Sequence, residues 1–213
     1  MDIELVSPQV EAYLHSLVPP RPPELRAMEK EAEEKDFPII GPVCGHFCYL
    51  ITRMTGARSV FELGSGYGYS TAWFARAVKE NGGGIVHHVV WDEELSHEAR
   101  RHLAALDLND VVEYHVAEAV QTLRGFAGQF DLIFNDIDKE DYPASLPVIK
   151  EKLRPGGVLI IDNMLWYGRV FDETERSDST AGVRDFTRLM REDPDWAFTL
   201  VPLRDGMIVA MKR

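Results

Sequence analysis

The sequence predicts an α/β protein with a doubly wound, mostly parallel sheet of seven strands, Rossmann-like, whose last strand is antiparallel. From Arg58 onward, short apolar runs alternate with longer amphipathic segments, which is typical of successive β-α-β units. The last two apolar runs are joined only by Arg204-Asp205-Gly206. Such a short turn is a hairpin signal, so the final strand is expected to run against its neighbour.

Each apolar run is a predicted strand. In chain order they are SVFELG, IVHHVVW, VVEYHV, FDLIFND, GGVLIIDN, FTLVPL and GMIVAMK. The segments between them carry apolar residues at three- and four-residue spacing, which predicts helices. These helices are expected over residues 70–80, 94–106, 120–126, 142–153 and 182–192. A sheet of this kind binds ligands at the carboxyl ends of its strands, so the residues that end each strand are the candidate site.

Residues 1–213 are predicted to form a single domain, in which residues 1–40 are a helical cap and residues 58–213 the α/β core. The cap is expected to hold one helix over residues 8–17 and a charged helix over residues 24–35, with a proline-rich joint between them. Proline ends one helix and begins the next at such a joint.

Composition limits the possible partners. The chain has 35 acidic and 23 basic residues and a formal net charge of -12. It therefore lacks the basic face that nucleic acid requires, and a small molecule is the expected partner. No apolar run approaches the roughly 20 residues that cross a bilayer, and no basic segment precedes an apolar stretch at the N-terminus. No membrane partner and a cytoplasmic location are predicted. Cys44 and Cys48, one helical turn apart, are expected to be reduced and packed.

A glycine-rich loop follows the first predicted strand. It begins after Glu62 and has the pattern GxGxG at residues 64–68. Dinucleotide pyrophosphates are usually bound by GxGxxG instead. An acidic residue beside the loop suits a cationic sulfonium nucleotide better than a pyrophosphate. The alternative is a plain turn from strand to helix, and the loop alone does not identify the group transferred.

Polar side chains end the fourth and fifth predicted strands. Asp136 follows the fourth, and Asp162 and Asn163 follow the fifth. Neighbouring parallel strands would bring these oxygen ligands to one edge, where they would suit Mg²⁺, Mn²⁺ or Ca²⁺. The alternative is that they cap a turn and a helix. Lys139, three residues after Asp136, is a candidate base, although most lysines are solvated surface charges.

These motifs resemble the cation-dependent O-methyltransferases, the family that includes catechol O-methyltransferase and caffeoyl-CoA O-methyltransferase. The resemblance covers nearly the whole chain, through the segments FPIIGP, VFELGSGYGYST, DLIFNDIDKEDY, LRPGGVLIIDNMLWYGRV and RDGMIVAMKR. It implies transfer of a methyl group from S-adenosylmethionine to one hydroxyl of a small phenolic substrate with two neighbouring hydroxyls. Since no long insertion separates the elements, the chain is similar to the compact bacterial members.

The resemblance also implies residue roles. Asp136, Asp162 and Asn163 would bind the metal, Mg²⁺ or else Mn²⁺ or Ca²⁺. Lys139 would be the catalytic base beside Asp136, and Trp166 would lie near the substrate. The cofactor-binding positions implied are Ile40, Glu62, Gly64, Gly66, Tyr69, Ser70, Asp92, Glu118 and Asp136.

Two positions depart from the family pattern. The second strand in the family ends on an acidic residue that binds the ribose, whereas this chain has Val90, and Asp92 is the predicted substitute because it lies on the same side of an extended strand. Glu118 replaces an aspartate at the adenine end and keeps the carboxylate. His87 and His88 are expected to be ordinary strand residues.

A homodimer is expected from the family precedent and from apolar residues in the cap. These residues are Val10, Tyr13, Leu14, Leu17, Leu25 and Met28. Two other functions are weighed against methyl transfer. A nicotinamide-dependent oxidoreductase uses the same class of sheet but is disfavoured by the GxGxG spacing. A non-catalytic ligand-binding relative is suggested by Val90 and Glu118.

Overall fold

The computed structural model describes residues 5–213, so the first four residues of the predicted cap lie outside the described residues. A single seven-stranded sheet has the order β3-β2-β1-β4-β5-β7-β6. Its strands are β1 (Ser59–Leu63), β2 (Ile85–Val90), β3 (Val112–Val116), β4 (Phe130–Asn135), β5 (Leu153–Ile161), β6 (Trp196–Val201) and β7 (Met207–Lys212). Strands β1 to β5 pair in parallel, and β7 is antiparallel to both β5 and β6. The predicted fold class is confirmed.

The helices alternate with the strands as the apolar spacing predicts. They are α1 (Pro8–Leu17), α2 (Pro23–Lys35), α3 (Gly41–Thr55), α4 (Tyr69–Glu80), α5 (Glu93–Ala105), α6 (Ala119–Gly125), α7 (Tyr142–Lys152) and α8 (Asp178–Glu192). Helix α8 begins four residues before its predicted start, because the hydroxyl of Ser177 accepts a hydrogen bond from the Thr180 N–H and caps the helix there. Helix α3, which lies between the predicted cap and core, carries the buried and unbridged Cys44 and Cys48.

Helices cover both faces of the sheet. Alternate residues of β1 point to opposite sides: Val60 packs in the core beneath α3, α4 and α5, and Phe61 packs in the core beneath α6, α7 and α8. Trp73 of α4 and Phe186 of α8 are large buried side chains, one in each core. Burial of both faces holds the strand ends, and the loops that follow them, in fixed relative positions.

The two N-terminal helices differ in their packing. In α2, Leu25 and Met28 are buried in the core beneath α3, α4 and α5, and the Met28 carbonyl accepts a 2.9 Å hydrogen bond from the hydroxyl of Tyr67 in the glycine loop. Helix α1 has no buried residue. Of the apolar residues expected to meet a partner subunit, those of α2 are therefore covered by the chain itself, and only those of α1 remain for a partner. No helix within residues 5–213 combines the length and the apolar character needed to cross a membrane.

Candidate active site

A cavity of about 370 Å³ lies at the carboxyl edge of the sheet. Residues at or just after the ends of β1 to β5 line this cavity. One example for each strand, in chain order, is Gly64, Trp91, Glu118, Asp136 and Asn163. This is the edge at which doubly wound sheets bind ligands. Residues 37–40, which precede α3, also line the cavity.

The glycine loop after β1 is held in place by its neighbours on both sides. Ser65 donates its N–H to the Val89 carbonyl and accepts the Val89 N–H at its hydroxyl, both at 3.0 Å. Gly64 has a φ of 82°, and a Cβ there would lie 2.6 Å from the carbonyl oxygen of Asp136. Only glycine allows this backbone conformation and this close approach. The loop is therefore fixed between β2 and the segment that follows β4.

Glu62 lies behind this loop and does not line the cavity. It is fully buried, and neither carboxylate oxygen has a hydrogen-bond partner among the described residues. Burial raises the pKa of Glu62 to about 7, whereas the nearby hydroxyls of Ser70 and Thr71 oppose that shift without completing a hydrogen bond. A cation in the cavity would favour the ionised form of this carboxyl.

Lys139 and Asp136 are brought together after β4. The Lys139 ammonium donates to the Asp136 carboxylate at 2.7 Å and to the Ile137 carbonyl at 3.1 Å. Its Nζ lies 5.3 Å from the centre of the Tyr142 ring and 5.7 Å from that of the Trp166 ring. Lys139 lines the cavity. Its side chain is only 11% exposed, so the amine is partly desolvated.

Asp162 is the most deeply buried of the predicted metal ligands. One carboxylate oxygen accepts a hydrogen bond from the guanidinium of Arg204, and the other has no partner among the described residues. Burial, reinforced by the charge of Asp136, raises the pKa of Asp162 to about 6, and Arg204 opposes that shift. Arg204 lines the cavity above it, whereas Asp162 itself does not.

Asn163 is directed by the turn that joins β6 to β7. It has a φ of 58°, and its amide nitrogen donates to the Asp205 carboxylate at 3.2 Å. The other Asp205 oxygen accepts the Tyr167 N–H at 2.6 Å. Because the amide nitrogen of Asn163 is held by Asp205, its amide oxygen is available as a ligand.

The donor set at this end of the cavity fits a divalent cation. Asp136, Asp162 and Asn163 offer two carboxylates and an amide oxygen, the hard ligands that Mg²⁺ and related ions prefer. The unpartnered oxygen of buried Asp162 is the strongest sign of a missing ligand, since buried polar atoms are normally satisfied. Arg204 now neutralises part of the charge that such an ion would balance.

Most of the residues predicted for the site line this one cavity. They are Ile40, Gly64, Gly66, Tyr69, Ser70, Glu118, Asp136, Lys139, Asn163 and Trp166. Glu62 and Asp162 lie behind the wall. Asp92 does not line the cavity, because its carboxylate caps α5 by accepting the N–H groups of Glu94 at 2.7 Å and Leu95 at 3.1 Å.

Several residues that line the cavity were not predicted from the sequence, among them Ser65, Trp91 and Arg204. A signal existed for Arg204. The turn before an antiparallel β7 must lie at the same edge as the end of β5, so a charged residue in that turn faces the acidic residues there. Trp91 is 70% exposed at the end of β2, where an aromatic residue would ordinarily be buried.

The known proteins that this chain is similar to are described as O-methyltransferases. Residues 22–213 match the family model described as O-methyltransferase. A catechol O-methyltransferase of Mycobacterium tuberculosis is 31% identical over 221 residues, which cover 100% of this chain and 99% of that protein.

Two solved structures are similar along nearly their whole length. An O-methyltransferase from Bacillus cereus in complex with SAH has a TM-score of 0.87 and 30% identity, with 96% of this chain and 97% of that chain covered. The O-methyltransferase TomG from Streptomyces achromogenes, in complex with SAM, has a TM-score of 0.85 and 27% identity, with 96% of each chain covered.

Proposed function

Since the chain belongs to the O-methyltransferase family, we propose that it moves a methyl group from S-adenosylmethionine to one hydroxyl of a small aromatic compound with two neighbouring hydroxyls, assisted by a divalent cation. The predicted family and enzyme class are confirmed by the match over residues 22–213. The oxidoreductase alternative is set aside by the same match. The finer proposal rests on one observation, the meeting of Asp136, Lys139 and Asn163 at one end of the cavity with Asp162 behind them.

The methyl donor is supported by the cavity and by the relatives. The structures from Bacillus cereus and Streptomyces achromogenes contain SAH and SAM. In this chain the buried carboxyl of Glu62 lies directly behind the glycine loop and would favour a cationic ligand. Ser70 at the start of α4 and Glu118 after β3 line the same cavity, and the carboxylate oxygens of Glu118 also cap α6 by accepting the N–H groups of Val120 and Gln121.

The cation is supported by the oxygen donors of Asp136, Asp162 and Asn163. When bound there, a divalent cation supplies Lewis acidity that lowers the pKa of a coordinated substrate hydroxyl. Two neighbouring hydroxyls suit such a site because both can approach the same ion. The unpartnered oxygen of Asp162 is free to face such an ion, while the guanidinium of Arg204 on the other oxygen opposes it by its positive charge.

We assign the proton transfer to Lys139. In its neutral amine form Lys139 would accept the proton of the attacking hydroxyl at Nζ, and the ammonium so formed donates to Asp136 through their 2.7 Å contact. The deprotonated oxygen then forms a bond to the methyl carbon, the carbon–sulfur bond breaks, and its electron pair stays on sulfur, which leaves as S-adenosylhomocysteine. Trp166 lines the cavity next to Lys139 and would pack against the aromatic acceptor, which excludes water from the amine.

A methyl-transfer assay tests this function. The purified chain is given S-adenosylmethionine and either catechol, a caffeoyl thioester or a monohydroxy analogue, with Mg²⁺ or with a chelator. We expect transfer to the dihydroxy compounds, loss of transfer with the chelator, and little transfer to the monohydroxy analogue. Equal rates with and without the chelator would overturn the role of the cation, and equal rates on the monohydroxy analogue would overturn the need for two hydroxyls.

Two variants separate the site from the rest of the surface. Asp136→Asn removes a proposed ligand and should abolish activity without unfolding the chain. Asp185→Asn on the outer side of α8 makes the same chemical change at an exposed position and should leave the rate unchanged. Calorimetry with S-adenosylmethionine, compared with the methyl-transfer assay, tests the non-catalytic alternative. A ligand-binding relative would bind S-adenosylmethionine and transfer no methyl group.

We also infer a homodimer and a cytoplasmic location. The dimer is supported by the apolar side chains that α1 leaves exposed. The location is supported by the small-molecule chemistry proposed for the cavity.

A further inference from the structure

Three side chains that commonly bind metals meet at the edge of the sheet, away from the acidic residues of the active site. His87 lies on β2, and Glu113 and His115 lie on β3. In the parallel pairing of these strands His87 is opposite Glu113, and His115 follows two residues later on the same face. The register of two neighbouring strands therefore builds the cluster.

The ligand atoms lie close enough together to be drawn around a single ion. His87 Nδ1 lies 3.2 Å from His115 Nε2. It lies 3.7 Å from one oxygen of Glu113, whose other oxygen lies 3.6 Å from His115 Nε2. A tetrahedral ion with bonds of about 2.0–2.1 Å keeps its ligand atoms about 3.3–3.4 Å apart. Each Glu113 oxygen faces a different ring nitrogen, so the carboxylate would have to turn to bring one oxygen within that distance of both.

A hydrogen bond between the two imidazoles is the simpler explanation, but it accounts for only one of the three distances. It does not require a carboxylate near both ring nitrogens. The rings are also held in place, because the Phe126 ring packs edge-on against His87 at 4.6 Å and against His115 at 5.7 Å between centroids. Fixed rings lose little freedom when they bind an ion.

Burial lowers the pKa of both imidazoles, which favours the neutral form that binds metals. Glu113 is more than half exposed and closes the cluster on the solvent side. Solvent can therefore reach the remaining coordination position.

We propose that His87, Glu113 and His115 form a second metal site, for a divalent transition-metal ion of the zinc class with water as the fourth ligand. Two imidazoles and one carboxylate favour such an ion over Mg²⁺ or Ca²⁺, which take oxygen ligands. The ion would join β3, the edge strand of the sheet, to β2. Its effect is on the stability of that edge, and this proposal is independent of the one made for the active site.

Cobalt binding tests the proposal, because tetrahedral Co²⁺ with imidazole ligands absorbs visible light far more strongly than octahedral Co²⁺ with oxygen ligands. The full chain is titrated with Co²⁺ in a large excess of Mg²⁺, which occupies the oxygen site. We expect one strongly absorbing Co²⁺ per chain and its displacement by Zn²⁺. Absence of the band in the wild-type chain would overturn the proposal.

Variants locate the ion. His115→Ala removes a partly exposed ligand and should weaken Co²⁺ binding at least tenfold, and Glu113→Gln should weaken it less. His97→Ala, at an exposed position on α5, is the matched control and should bind like the wild type. Thermal unfolding gives a second measurement: Zn²⁺ should raise the midpoint of the wild-type chain but not that of His115→Ala. An unchanged cobalt band in His115→Ala would show that the ion binds elsewhere.

Discussion

The guanidinium of Arg204 forms an ion pair with the carboxylate of Asp162, which is completely buried. The pair joins the turn between β6 and β7 to the end of β5. It satisfies one oxygen of Asp162 and leaves the other without a partner among the described residues. The chain thus carries its own cation at the place where we propose that a divalent ion binds, and the two compete for the same carboxylate.

Removal of Arg204 should strengthen metal binding. In Arg204→Gln the divalent ion no longer meets the repulsion of a guanidinium on Asp162, so we expect the Kd for Mg²⁺ to fall about tenfold. Without metal the variant should be less stable by about 3 kcal/mol, at the lower end for a broken buried pair because Arg204 is 32% exposed. Calorimetry gives the Kd, and thermal unfolding with and without Mg²⁺ gives the stability.

Arg188→Gln is the control for Arg204. Arg188 pairs with Asp185 and Glu192 on the exposed side of α8, where ion pairs contribute little. It should change neither the Mg²⁺ affinity nor the unfolding midpoint. If Mg²⁺ stabilised Arg204→Gln and the wild type equally, competition for Asp162 would be wrong.

Lys139 should be essential to the rate and not to metal binding. We expect Lys139→Ala to lower kcat by roughly 10²–10⁴-fold, the usual contribution of a positioned acid or base. Lys139→Arg should fail too, because a guanidinium stays protonated and cannot accept a proton. Steady-state kinetics with saturating Mg²⁺ measures kcat, and calorimetry checks that Mg²⁺ still binds. A near-normal kcat in Lys139→Ala would reduce the lysine to a structural partner of Asp136.

The sequence predicted the elements well because each strand and helix is a local pattern. The apolar run that forms β4 stops at Asp136, and the run that forms β5 stops at Asp162, so the polar residues mark both strand ends. Parallel pairing of β4 and β5, which follows from the alternation of strands and helices, then brings those ends together. Lys139 and Asn163 were found for the same reason, because each is close in sequence to a strand end.

The parts that sequence reasoning did not find depend on contacts between distant segments. Arg204 is 42 residues from Asp162 in sequence, and their pairing needs β7 beside β5. The cluster of His87, Glu113 and His115 needs the register of β2 against β3, which no local pattern fixes. Asp92 shows a different difficulty, because an aspartate after a strand suits a ribose contact and a helix cap equally well, and here it caps α5.

The glycine loop should not tolerate a side chain at residue 64. In Gly64→Ala the new Cβ would meet the carbonyl oxygen of Asp136 at 2.6 Å with φ at 82°, so the loop would have to move. We expect a loss of roughly 1–3 kcal/mol in the free energy of unfolding, together with weaker cofactor binding. Gly125→Ala is the matched control: nothing lies within 4 Å of its Cβ, and that position ends helix α6. Urea unfolding measures the stability of both variants. If Gly64→Ala were as stable as Gly125→Ala, the close approach of residue 64 to Asp136 would be contradicted.

Glu62 should lower the stability of the chain at neutral pH. Its pKa is raised from 4.5 to about 7 in the folded chain. Between these values the folded state keeps a proton that the unfolded state has lost, so stability falls as pH rises through this range. The total loss in the free energy of unfolding is about 3 kcal/mol at pH 7 and above, because each pKa unit corresponds to about 1.36 kcal/mol. Glu62→Gln, which cannot ionise, should therefore be more stable than the wild type by up to that amount at pH 8.

The stability gained by Glu62→Gln should shrink toward zero as the pH falls below 4.5, where the wild-type carboxyl becomes protonated in both states. Its cofactor affinity should fall, because the charge that favours a cationic ligand is gone. Urea unfolding across this pH range measures the first effect and calorimetry the second. Glu33→Gln on the exposed side of α2 is the control and should show no such pH-dependent difference. A difference for Glu62→Gln that did not vary with pH would contradict the burial argument.

The exposed side of α1 should carry the contact of a homodimer. This side carries Val10, Tyr13 and Leu17, whose exposed fractions are 49%, 64% and 59%. Apolar side chains of a helix are normally packed against another surface. Light scattering at micromolar concentration should give twice the mass of the chain for the wild type and the mass of one chain for the double variant Tyr13→Ser, Leu17→Ser. Met211→Ser replaces an exposed apolar residue on β7 and should remain dimeric. Since α1 has no buried residue, the double variant should fold normally, and a mass of one chain for the wild type would show that α1 meets no second copy.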